Sequence, residues 1–187
     1  MKRTLGILAH WLPLAIGITG ISGLVYVSIQ QNYRQSLNDP QIQMVEDAVS
    51  ALVAGAPPVD VVPRTLFDAS ESLAPFIAVY DSSGTPLEAS ARIGDAPPRP
   101  PIGVFQYART AGENRVTWQP NASTRIALVA RPVPNDKGWF VASGRNMREV
   151  EQRIHVLGVH IGYGLLVLLV TSLAAECLGD AWRRRLS

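Results

Sequence analysis

Two stretches free of Asp, Glu, Lys and Arg, Leu5 to Ile29 and Ile154 to Ala175, stand near opposite ends of a 187-residue sequence. At about 1.5 Å of rise per residue, either one as a helix crosses a hydrocarbon core of about 30 Å. Both therefore read as transmembrane helices. Lys2 and Arg3 precede the first, and Arg183, Arg184 and Arg185 follow the second, so the basic excess on the short flanks places both termini in the cytoplasm. The chain divides into a cytoplasmic N-terminus (1–4), a first span (5–29), an extracytoplasmic domain (30–153), a second span (154–176) and a cytoplasmic basic tail (177–187). The first segment also opens like a secretory signal peptide. Its long apolar run, with no small-x-small cleavage site before Gln30, predicts an uncleaved anchor instead.

The net charge of +2 belongs to the ends of the chain, because 12 basic and 13 acidic residues fall between Gln30 and His155. Arg and acidic residues alternate there without forming a basic stripe, which excludes a nucleic-acid partner. The single cysteine, Cys177, lies past the second span, so the central domain has neither a disulfide nor a thiolate metal site. About 120 residues suffice for one compact domain. Arg outnumbers Lys fifteen to two, in keeping with a high-GC bacterial genome.

Asp39 followed by Pro40 marks a helix start, with Asp39 as N-cap and proline in the first turn. Ile42, Val45, Val49 and Leu52 give that helix one apolar face, and Gly55 with Pro57-Pro58 ends it. A second short helix is expected from Arg64 to Leu73, stopping before Pro75. Phe76–Tyr80 and Pro86–Ala89, joined by the Asp81-Ser82-Ser83-Gly84 turn, read as a hairpin. Ala96 to Pro101 is a proline-rich surface loop. Strands are expected at Gly103–Ala108, Arg115–Gln119, Arg125–Val133 and Trp139–Ser143, for five or six antiparallel strands in all. From Asn146 the pattern turns helical and runs without proline or glycine into the second span.

The order of helix, strand pair around a Tyr-Asp-x-x-Gly turn, loop, further strands and a helix feeding a membrane segment resembles the single-Cache or PAS-like extracytoplasmic sensor domain of bacterial receptors. The strings NDPQIQMVEDA (38–48), FIAVYDSSG (76–84), VTWQP (116–120) and GRNMREVE (144–151) are similar to those of small two-span bacterial membrane proteins that carry such a domain without a kinase. The resemblance spans roughly Gln30 to Arg153. It implies an α+β fold in which a long N-terminal helix lies on one side of a curved antiparallel sheet, with a ligand cavity on the other. It also implies residence in the bacterial inner membrane. Only about ten residues follow the second span, so the expected output is lateral, to a membrane protein partner or a second copy.

For a small-molecule pocket, aromatic walls with Arg forks suit carboxylate or amino-acid-like ligands, which selects Tyr80, Asp81, Tyr107, Arg109, Trp118, Arg125 and Arg131. The bland alternative is that strand aromatics pack, strand arginines face water and Asp81 bonds its own turn. All three histidines, His10, His155 and His160, lie in or beside the membrane. His10 and His160 sit about 7 Å and about 6 Å in from opposite sides, too far apart in depth to share a metal. Polar helix contacts are the simpler role, and a pigment or haem would need a partner to complete its site. Gly158-x-x-x-Gly162, and Ala15, Thr19 and Gly23 at four-residue spacing, offer close helix packing. Pro13 interrupts the first span. The central domain holds no His, Cys, nucleophile elbow or phosphate loop, which points away from catalysis and from any cofactor. The alternative to a sensor is a non-catalytic accessory subunit of a larger membrane complex.

Overall fold

A computed structural model of the chain describes residues 2–36, 38–134 and 137–185, without the side chains at 2–4 and 34–36. The side chains of Lys2 and Arg3 thus lie outside the described part. The chain opens with three helices, α1 (Lys2–Ser36), α2 (Asp39–Val53) and α3 (Pro58–Val61). Four strands follow: β1 (Phe67–Asp68), β2 (Phe76–Tyr80), β3 (Pro86–Ala89) and β4 (Ala91–Arg92). Then come α4 (Ile102–Ala111), β5 (Asn114–Asn121), β6 (Thr124–Pro132), β7 (Phe140–Asn146) and α5 (Arg148–Arg185). Residues 34–151 form one compact unit, and residues 1–33 with 152–187 form another.

The 34–151 unit is built on an antiparallel sheet of five strands in the order β3-β2-β7-β6-β5. Side chains alternate across it, so each strand feeds two cores. Phe76, Ala78, Tyr80, Ile126, Leu128, Ala130, Phe140 and Ala142 face α4, which supplies Phe105 and Ala108. Ile77, Val79, Val129 and Val141 face α2, which supplies Val45, Ala48 and Leu52. Every residue of β2 is buried, because this interior strand is covered on both sides. Fully burying one such large apolar side chain contributes about 1.5–3 kcal/mol. At the crowded centre of the sheet, a Cβ on Gly144 would stand 2.7 Å from the Phe76 ring and 2.8 Å from Ile126, so only glycine lets β7 pass.

Two expectations are corrected by this architecture. Gly103–Ala108 is not a strand but the middle of α4. Pro101 enters the helix in an extended conformation, and Phe105 and Ala108, three apart, are both fully buried. Gly112, at φ +83°, takes the left-handed turn that stops it. Arg64–Leu73 holds no helix: Phe67 and Asp68 pair in parallel with Ala91 and Arg92, and the Asp68 carboxylate accepts the Ser70 amide at 2.8 Å to turn the chain. α2 ends at Val53, ahead of Pro57-Pro58, and Pro58 then begins the separate helix α3, a position where its missing N–H costs nothing.

Two smaller differences concern boundaries. Asp39 is the first residue of α2, with Asn38 as N-cap, although no side-chain bond caps the helix. The proline-rich segment is only partly on the surface. Pro98 and Pro100 are buried, and the Pro98 carbonyl accepts the Tyr80 hydroxyl at 3.0 Å. Near the start of α2, Gln41 is fully buried with neither amide atom hydrogen-bonded.

In the other unit, α1 and the remainder of α5 run antiparallel. The Trp11 indole donates to the Ser172 hydroxyl at 2.9 Å, and the Tyr26 ring lies 3.4 Å from where a Gly158 Cβ would be. The inward stripe of α1 is Trp11, Ala15, Ile18, Ser22 and Tyr26, with Ala15 buried. The expected stripe shares only Ala15 with it. Thr19 turns its hydroxyl back to the Ala15 carbonyl at 2.8 Å, while Gly23 and Gly162 face open space. Two large side chains, one of them hydrogen-bonding, set the helix rotation where small residues were expected to. Both helices are long and apolar enough to cross a membrane, and almost nothing of their apolar windows is buried, unlike the core helix of a soluble protein.

Candidate functional site

The polar centre of the 34–151 unit lies where β7 gives way to α5. Asn146 ends the strand with its side chain buried. Its amide nitrogen donates to the Ala69 carbonyl at 3.1 Å and the Ser70 carbonyl at 2.9 Å. Its amide oxygen accepts the Arg148 N–H at 2.9 Å, capping the first turn of α5. One side chain thus ties the 69–70 turn, the end of the sheet and the start of the helix.

Around Asn146 the same joint is fixed from three further directions. The Met147 amide bonds the Arg125 carbonyl at 2.8 Å, and Met147 and Val150 are buried. Arg125 pairs with Glu151, and Arg145 pairs with Glu149 at 3.3 Å while donating to the Leu73 carbonyl at 2.8 Å. Arg148 reaches the Glu71 carbonyl at 3.1 Å. Glu149 and Glu151 in the first turn also suit the positive end of the helix dipole.

The seven candidate ligand residues do not converge. Tyr80 and Trp118 belong to the α4 face, whereas Arg125 and Arg131, at odd positions on β6, belong to the α2 face. Tyr80 is fully buried, its ring centroid 4.7 Å from that of Phe105, which in turn lies 5.1 Å from that of Phe140. This cluster fills the side of the sheet where the resemblance implied a cavity. Burial pushes the Tyr80 hydroxyl far above the usual tyrosine range. Asp81 accepts from the Ser83 hydroxyl at 2.6 Å and from the Ser83 and Thr85 amides at 2.8 and 2.9 Å, closing its own turn. Those bonds, the Ser83 hydroxyl first, hold its carboxyl below the ordinary value of 3.8.

Tyr107 is exposed on α4, and Arg109 on the same helix lays its guanidinium 4.8 Å over the Phe140 ring. Trp118 packs half-buried against the α4-side core. Arg131 ties β6 to α2 through Glu46 at 2.9 Å and to Glu113 at 3.5 Å. Of the seven, only Arg125 lines a described cavity. That cavity, of about 150 Å³, lies on the α2 face and also touches Asn38, Arg115, Val116, Thr117, Ala127 and Met147. Sequence reasoning passed over Arg115 and Asn146. The signal for Asn146 was an Asn two residues before an apolar-periodic helix, the pattern of a cap.

Elsewhere, one groove of about 340 Å³ lies between α2 and α3, and another of about 290 Å³ borders β3 and β4. In the helix pair, His10 shares a cleft of about 430 Å³ with Glu176, Asp180, Arg183 and Arg184. His10 and His160 each bond the carbonyl one turn before them, Gly6 and Val156, at 2.9 and 2.8 Å. Arg184 pairs with Asp180 at 2.9 Å, Arg183 lies 3.9 Å from Glu176, and Arg185 is exposed. Among the described residues, no three His, Cys, Asp or Glu side chains gather as a metal set.

No family model and no curated protein matches this chain. Among solved structures, it is similar to the ligand-binding domain of the Pseudomonas aeruginosa PAO1 amino acid chemoreceptor PctB in complex with L-Arg. That match has 17% identity and a TM-score of 0.42, covering 66% of this chain and 55% of that one. It is also similar to the ligand-binding domain of the amino acid chemoreceptor PctC of the same organism in complex with GABA. Here the identity is 17% and the TM-score 0.40, covering 68% of this chain and 59% of that one. The matched part thus spans less than two thirds of either chemoreceptor domain.

Two outcomes test the site. Asn146→Ala strands two carbonyls and uncaps α5, and is expected to cost about 2–4 kcal/mol in denaturant unfolding of the full chain in detergent, whereas Asn121→Ala on the surface costs under about 1 kcal/mol. For Asp81 the folded pKa lies below the unfolded one, so its contribution is present above pH 3.8 and fades as pH falls through the lower folded value. Asp81→Asn is expected to flatten stability against pH below about 4, read as thermal midpoints at successive pH values.

Proposed function

We propose that the protein is a membrane-anchored sensor-like module of the bacterial inner membrane. In this reading α1 and α5 cross the bilayer, both termini are cytoplasmic and the 34–151 unit stands on the outer side. Changes in that unit pass along α5 to a membrane partner or a second copy. The observation that carries the reading is the joint at Asn146. The helix whose first turn is clamped to the sheet by Asn146, Arg125 and Arg145 is the same helix that contains the apolar run of 154–175. A displacement at that first turn has a continuous helix along which to pass. The Cache-like order of elements, with a long helix on one face of a five-strand sheet, is consistent with this role.

The filled α4 face argues against a ligand seated among Tyr80, Phe105 and Phe140, so the sensing event belongs to another part of the unit. A second reading, an accessory subunit of a larger membrane complex, is favoured by one observation. Gly162 and Gly23 face open space on the helix pair, where a further helix could approach closely.

Topology is the first test. With Cys177 replaced by Ser and Ala122→Cys introduced in the exposed β5–β6 turn, a membrane-impermeant maleimide is expected to label intact spheroplasts at position 122. In the otherwise unchanged chain, Cys177 is expected to react only after permeabilisation. Protection of position 122 would refute the orientation and the sensor reading together. A stoichiometric companion chain recovered in mild detergent, with labelling as expected, would favour the accessory role.

A further inference from the structure

The cavity that Arg125 lines differs from the other three described above in the charge of its walls. Its polar lining is Arg115 from β5, Arg125 from β6, Thr117 and Asn38, with no Asp or Glu among them. The other three cavities each hold at least one carboxylate. Positions 115 and 117 on β5 and 125 on β6 share one face of the sheet, so the pleat alone brings two guanidinium groups to one opening. Asn38, at the N-cap of α2, spends no side-chain bond on capping.

Each guanidinium is occupied by one carboxylate that stands outside the cavity lining. Arg115 pairs with Glu113, and Arg125 pairs with Glu151. The side chains of Arg115 and Arg125 remain 52% and 45% exposed, and exposed pairs contribute only about 0.2–1 kcal/mol. Exchanging such a partner for a ligand oxygen is therefore cheap. The cavity's volume of about 150 Å³ leaves room for a carboxylate- or phosphate-sized group.

We propose that this cavity binds a small oxyanion, a carboxylate or a phosphate, between Arg115 and Arg125, and that the anion competes with Glu151 for Arg125. Glu151 is in the first turn of α5, so the ligand would release one of the ties that hold that helix to the sheet. The inference deepens the sensor reading and rests on it, placing the ligand beside the joint and not on the filled α4 face.

The test is calorimetric titration of the full chain in a non-ionic detergent with inorganic phosphate, acetate and succinate. Saturable binding of at least one is expected, phosphate alone or the carboxylates alone identifying the class. Glu151→Gln removes the competitor and is expected to tighten binding about two- to fivefold. Arg115→Ala and Arg125→Ala are expected to weaken it at least about tenfold. Glu151→Gln alters only an exposed pair, so it keeps the test decisive if an Arg variant misfolds. Absence of saturable binding to wild type and Glu151→Gln, binding untouched in both Arg variants, or failure of Glu151→Gln to tighten it would each overturn the proposal. Protection of position 122 from maleimide would instead remove the sensor reading and leave the titration result standing.

Discussion

The junction between β7 and α5 in the 34–151 unit depends on the three hydrogen bonds of the Asn146 side chain. A buried amide is tolerable only when its donors and acceptor are met, and here two partners belong to the 69–70 turn and the third to the start of α5. Geometry follows from that satisfaction. The 69–70 turn is held at the end of β7, and the Arg148 N–H at the start of α5 gains a partner. Arg125, Arg145 and Arg148 reinforce the arrangement, Arg145 through part-buried contacts and the other two through exposed ones.

The two faces of the sheet serve different ends because the pleat sorts them. On the α4 side, aromatic and small residues interlock, and Tyr80 gains a partner for its hydroxyl from a proline carbonyl. On the α2 side, valines and alanines pack near the middle, and arginines emerge toward the β5 edge. Gln41 sits on this second side, fully buried with its amide unpaired, the one such side chain among the described residues. An unmet amide of that kind costs about 1–3 kcal/mol. The departure from complete satisfaction thus falls one turn beyond Asn38, which lines the arginine cavity.

Much of this was legible from residues alone. The paired apolar stretches, the 76–89 hairpin, the strands after Asn114 and the uninterrupted run from 146 into the second apolar segment follow from period and punctuation. Helix α4 was missed because Ile102, Val104 and Phe105 suit a strand as well as a helix, and the three-residue interval from Phe105 to Ala108 acquires meaning only when a sheet face waits beneath it. The two-residue strand β1 cannot be read locally, since its pairing partner, Ala91-Arg92, is more than twenty residues away. The candidate pocket failed for a related reason. Residue chemistry suggests aromatics and arginines together, but alternate strand positions point to opposite sides, which sends Tyr80 and Trp118 to one face and Arg125 and Arg131 to the other.

The same logic explains the pairing of α1 with the remainder of α5. Small residues at four-residue spacing fit close packing, yet Trp11 and Tyr26 supply a hydrogen bond and a ring contact that set another rotation. Sequence spacing gives the possible faces of a helix, and the largest side chains choose among them.

The central claim is that α5 begins as part of the sheet and not as a frayed helix end. Native-state hydrogen exchange at the Met147, Arg148 and Glu151 amides measures this directly. The account predicts that these amides exchange only when the β6 and β7 core opens, at the same free energy. Rapid exchange there by local fraying, while the Val129 and Val141 amides stay protected, would contradict it.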